Sequence, residues 1–144
     1  MGVLPEPIEE LLATGHRVLA VDPFWFGESK MDRAYLYGLL VATVGDRPLG
    51  IEAGQLAALS RWATVFSKSK PAIHTIGPRS SIVALTAAAM EPESLGELKP
   101  SQQMETLHDV IQNNWTVIEN PELFCFGLLE FFDVPQLKAL AAKD

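Results

Sequence analysis

Arg79, Ser80 and Ser81 stand directly after Gly77-Pro78, where the short apolar run from Ala72 to Ile76 gives way to small apolar residues that continue to Met90. A hydroxyl becomes a nucleophile when a base within hydrogen-bond reach takes its proton and a third group orients that base. Ser80 and Ser81 are the candidate nucleophiles, with helix N-capping as their structural alternative. Of the histidines, His16 precedes an expected strand at its amino end and His74 falls inside one. His108 lies on an expected helix and is the candidate base, although the adjacent Asp109 does not face it, because consecutive helical residues point apart. The planar fork of Arg79 could bind a carboxylate or polarise an ester carbonyl at a helix N-terminus. Its structural alternative is an ion pair with Asp22, Glu28 or another acid near the same sheet edge. Phe24, Trp25 and Phe26 supply a candidate substrate wall, or else a packed loop that buries area against the core.

Other chemistries find less support in the residues. Three dispersed histidines and the lone Cys125 show no metal-ligand spacing, so no metal site is expected, and no glycine-rich phosphate loop or other cofactor motif is present. Cys125 sits in an apolar run and reads as a buried structural thiol. The formal charge is −7, and the 11 lysines and arginines are scattered, which argues against a nucleic-acid surface. No apolar stretch reaches the roughly 18 residues of a membrane span. Glu6, Glu9 and Glu10 stand where a signal peptide would be basic, so a cytoplasmic setting is expected.

The elements that must position these groups follow from pattern. At 144 residues and 48% hydrophobic content, the chain suits one compact domain, 1–144. Ile8, Leu11 and Leu12 mark an amphipathic helix from Pro5 to Ala13. Val18 to Val21, closed by Asp22-Pro23, has the continuous apolar character of a strand covered on both faces. Ser29 could cap a helix through Tyr35, Leu36, Leu39 and Leu40 that Gly45 to Pro48 ends. A second helix begins near Leu49, with Ile51, Leu56, Leu59, Trp62, Ala63 and Phe66 as its apolar face. Ile73 to Ile76 is the central strand, and Ser94 to Leu98 a short, weak one. Leu107, Val110, Ile111 and Trp115 mark another helix. Pro121 to Phe132 reads as buried on most sides, and Asp133 or Val134 opens a last helix with Leu137 and Leu140 inward and Lys143 near its end. This alternation implies a small, mostly parallel α/β sheet with helices on both faces. So few strands leave edges that a partner copy or further chain would cover, hence the expectation of a homo-oligomer or a companion segment.

The succession of motifs resembles a known family. Gly15 to Asp22 followed by Gly27-Glu28-Ser29 resembles the α/β-hydrolase strand that ends in Asp and a Gly-x-Gly-x-Ser turn. Gly77-Pro78-Arg79-Ser80-Ser81 with its alanine-rich helix is similar to the nucleophile elbow, G-x-S-x-G. Pro121 to Leu129, Asp133 and Leu137 to Ala142 resemble a late segment of the acetyl xylan esterase-like and dienelactone-hydrolase-like members. The resemblance implies a truncated α/β-hydrolase fold without the family's first and last strands. It also implies a carboxylic-ester hydrolase acting on a small-molecule ester through Ser80 or Ser81. Two departures imply an alternative, a catalytically degenerate hydrolase-like domain that serves assembly or ligand binding. Arg79 occupies the position of the nucleophilic serine, and the strands expected to carry the acid and histidine would lie beyond Asp144.

Overall fold

A computed structural model describes residues 6–142. Helix α1 (Glu6–Ala13) ends at Gly15, whose φ of +84° suits a residue without a Cβ. The Pro5 start and Lys143 of the expected terminal helices lie outside the described residues. After a 3-10 turn at Gly27–Ser29 come α2 (Ala34–Thr43) and the long α3 (Pro48–Ser67). Strand β1 (Ile73–Ile76), α4 (Pro78–Met90) and β2 (Leu98–Ser101) form one β-α-β unit. Two single turns, α5 (Asp109–Gln112) and α6 (Leu128–Phe131), flank a 3-10 turn at Pro121–Leu123, and α7 (Val134–Ala141) closes the described chain.

The sheet pairs β1 and β2 in parallel, with Ile73 opposite Leu98 and Ile76 opposite Ser101. The core elements pack around α4. Its residues Ser81 to Ala88 are all buried, and α3, α7 and both strands lie against it. Alanines at 53, 57, 87 and 88 let α3 and α4 approach closely, and Leu49, Ile82, Val83, Leu107, Leu123, Val134 and Leu137 fill the larger half of the core. Helix α7 is fixed by a capping box. The Asp133 carboxylate accepts from the Val134 N–H at 2.7 Å, and the Gln136 side chain returns to the Asp133 N–H at 3.0 Å.

The mixed α/β class with a small parallel sheet is as expected, and several details differ. Val18 to Val21 is not a strand. No backbone hydrogen bond among the described residues engages 17–22, and Leu19 is 58% exposed. Among the described residues, helices cover one sheet face only. Thr75 is buried toward α4, whereas His74, Ile76, Lys99 and Ser101 lie open on the other face. The second strand runs from Leu98 onward instead of Ser94 to Leu98, and Ser29 sits in the 3-10 turn, with Arg33 preceding α2. On α3 the buried stripe is Leu49, Glu52, Ala53, Ala57 and Ser60, leaving Trp62 and Phe66 exposed, their rings in tilted contact with each other. The helix expected around Leu107 to Trp115 shrinks to one turn, and Phe126 and Phe131 of the apolar 121–132 segment are exposed. Cys125 is only half-buried, and burial raises its thiol pKa. Among the described residues no helix is long and apolar enough to cross a membrane, and no cluster of three His, Cys, Asp or Glu is placed for a metal ion.

Candidate functional site

Gly77 turns the chain from β1 into α4 with φ of +90°, a conformation glycine adopts without strain. Pro78 then occupies the first helical turn, where its missing N–H is no loss. This places Arg79, Ser80 and Ser81 at the carboxyl end of β1, where open α/β sheets bind ligands. Each is held by neighbours. The Arg79 guanidinium grips the Glu122 carboxylate with two parallel hydrogen bonds, from Nε to Oε1 and from Nη2 to Oε2, the latter at 3.0 Å. Its Cζ also lies 4.4 Å from the centroid of the Phe26 ring, so the cation is covered by an aromatic face. The acid predicted to pair with Arg79 is thus neither Asp22 nor Glu28. It comes from the 3-10 turn 43 positions further along the chain.

Neither serine caps the helix by accepting an N–H. Ser80 donates its hydroxyl to the Ile76 carbonyl at 2.8 Å. Ser81, buried, donates to the Gly77 carbonyl at 2.7 Å and lies 3.0 Å from the Thr75 hydroxyl. A hydroxyl has one proton to give. With that of Ser81 committed to Gly77, Thr75 is the donor to Ser81. Among the described residues no histidine is hydrogen-bonded to either serine, and His108 is an exposed residue ahead of α5. A groove of about 420 Å³ does run beside Ser81, lined by Thr75, Leu85, Leu95, Pro100 and Lys138 among others.

The aromatic loop divides its work. Trp25 is 1% exposed and its indole N–H points to the Met31 sulfur at 3.2 Å. Phe24 stacks on Trp25 with 4.5 Å between centroids, and Phe26 shields Arg79. Asp22 organises the following turn by accepting the Glu28 N–H at 2.9 Å, and a Cβ on Gly27 would lie 2.1 Å from the Asp22 carboxyl.

Beneath this constellation sits Glu52 of α3, fully buried, with both carboxyl oxygens lacking a hydrogen-bond partner among the described residues. Burial pushes its pKa up to about 9, and the charge of Glu122 adds to the rise while Arg79 opposes it. One guanidinium and two buried acids thus share this part of the core. The guanidinium neutralises Glu122 directly, and Glu52 holds its proton at neutral pH. Neither glutamate was singled out from the sequence as a site residue. Glu52 did carry a signal, because it interrupts the i, i+3, i+4 stripe of Leu49, Ala53, Ala57 and Ser60. Compared with known proteins, the chain matches no family model, no curated protein and no solved structure.

Proposed function

We propose that this chain is a catalytically silent, α/β-hydrolase-like domain that serves assembly. The supporting observation is the commitment of Arg79. It stands at the position the resemblance gives to a nucleophile, and its guanidinium is closed onto Glu122 and covered by Phe26. A planar cation used this way fixes the elbow to the 121–123 turn and commits its Nε–Nη2 edge to Glu122 rather than to a substrate carboxylate. The serine hydroxyls donate to backbone carbonyls instead of to a base, which removes the proton path that activates a nucleophile. A cytoplasmic setting belongs to the same proposal.

The alternative, a short-chain esterase using Ser81, draws support from the groove of about 420 Å³ beside that residue. Turnover of p-nitrophenyl acetate and butyrate separates the two, together with labelling by a serine-directed fluorophosphonate. Silence predicts hydrolysis at the buffer rate and no label. Turnover or labelling that disappears in Ser80→Ala or Ser81→Ala would establish the esterase instead.

A further inference from the structure

The groove beside Ser81 runs along one face of α4. Ser81, Ala84, Leu85 and Ala88 follow one another at i, i+3, i+4 and i+7, so its floor extends about 10 Å at 1.5 Å of rise per residue. Strand β2 forms one wall through Leu98 and Pro100, and α7 forms the other through Ala141. The small side chains of Ala84, Ala88 and Ala141 leave a space of about 420 Å³, within the range of sites that hold small molecules. Its two ends differ. Ala88, Pro92 and Leu95 make the end near the carboxyl terminus of α4 apolar, whereas Thr75 and Ser81 bring hydroxyls to the other.

Hydrogen-bond direction decides the occupant. The Ser81 hydroxyl donates to the Gly77 carbonyl, so Thr75 donates to Ser81 over 3.0 Å and the chain of protons runs away from the groove. Thr75 Oγ1 has then committed its one proton and keeps its lone pairs, and no donor among the described residues reaches it. At 9% exposure it is a desolvated acceptor, where a hydrogen bond from a bound group counts for most. The charged groups of the rim already have partners. Lys138 pairs with Glu105 at 3.2 Å, and Glu97 with Lys99 at 3.3 Å. A carboxylate would find no free cation there, and an ammonium no free anion. An ester or ether has no proton to give and leaves the Thr75 oxygen unmet.

We propose that the groove between α4, β2 and α7 is a binding site for an uncharged aliphatic alcohol, whose hydroxyl donates to Thr75 Oγ1 and whose chain lies along Ala84, Leu85 and Ala88 toward Leu95. The site goes beyond the assembly function proposed above and does not depend on it. The test is titration of the purified chain with 1-hexanol, followed in proton–nitrogen correlation spectra. The amides of Thr75, Ser81, Leu85 and Leu95 should shift together along one saturating curve. Methyl pentyl ether, equal in size and without a proton to donate, should bind roughly tenfold more weakly, and hexanoate likewise. Thr75→Val, checked for native circular dichroism, keeps the shape and removes the acceptor, so it should bind alcohol and ether alike. No saturable shift at these amides, equal binding of alcohol and ether by the parent, or a preference for the alcohol that survives in Thr75→Val would each overturn the proposal. Tighter binding of hexanoate than of 1-hexanol would do so in favour of an anion site at Lys138, and shifts of the same amides on dilution alone in favour of a second copy in the groove.

Discussion

Replacing Glu52 by glutamine isolates the least expected group in the molecule. Its carboxyl titrates near 9 in the folded chain, against 4.5 as the ordinary value, because burial and the Glu122 charge disfavour the anion. Between those two pH values the native state keeps a proton that the unfolded state has released. More protons are then bound in the native state, and stability falls as pH rises. Below 4.5 both states are protonated and this loss is absent. Across the window the slope is about 1.4 kcal/mol per pH unit, which accumulates to about 3 kcal/mol by pH 7. Glutamine has the same shape and does not titrate, so Glu52→Gln should lack this loss. Urea unfolding followed by tryptophan fluorescence at pH 5.5, 6.5, 7.5 and 8.5 measures the difference. The stability of the variant relative to the parent should climb steadily with pH over that range. Two profiles that stay parallel would mean that Glu52 is already ionised in the native state, and the account of a buried carboxyl that keeps its proton beside the Arg79–Glu122 pair would fail.

Two further substitutions probe the same architecture. Arg79→Met leaves Glu122 buried without its cation and should cost about 3 kcal/mol in urea unfolding. Adding Glu122→Leu should recover most of that loss, and strictly additive effects would show that the pair is not coupled. Gly96→Ala should destabilise by more than about 2 kcal/mol, because its Cβ would lie 2.6 Å from the Pro71 carbonyl oxygen, which accepts the Gly96 N–H. Thermal unfolding of the variant at the parental temperature would contradict that packing.

The sequence carried the local elements better than their partners. The strand–turn–helix at 73–90, the Asp133 cap and the break at Gly45 to Pro48 rest on near-neighbour chemistry, and all three are present. Val18 to Val21 has strand composition and no strand, because a strand exists only where another backbone accepts its ladder, and no segment among the described residues does so. On α3 the large residues suggested one face and the structure buries another. The neighbour is the alanine-rich α4, so the stripe of small residues with Glu52 wins the close approach and Trp62 and Phe66 are left outside. The Arg79 partner was out of reach for a similar reason. Pairing across 43 positions is decided by tertiary placement, and an acid inside an apolar run gives no local sign of the cation it will meet.

The unladdered stretch at 17–22 also bears on how the molecule comes apart. No backbone–backbone hydrogen bond among the described residues must break for residues 17–21 to change conformation, and α1 takes no part in the principal packing around α4. The first cooperative unit to open is therefore the one ahead of Asp22. Its amides exchange with solvent without any opening of the β1–α4–β2 unit, whose protection approaches the global stability. Arg17 lies within this stretch, so the chain carries a basic cleavage point where the fold has least to lose.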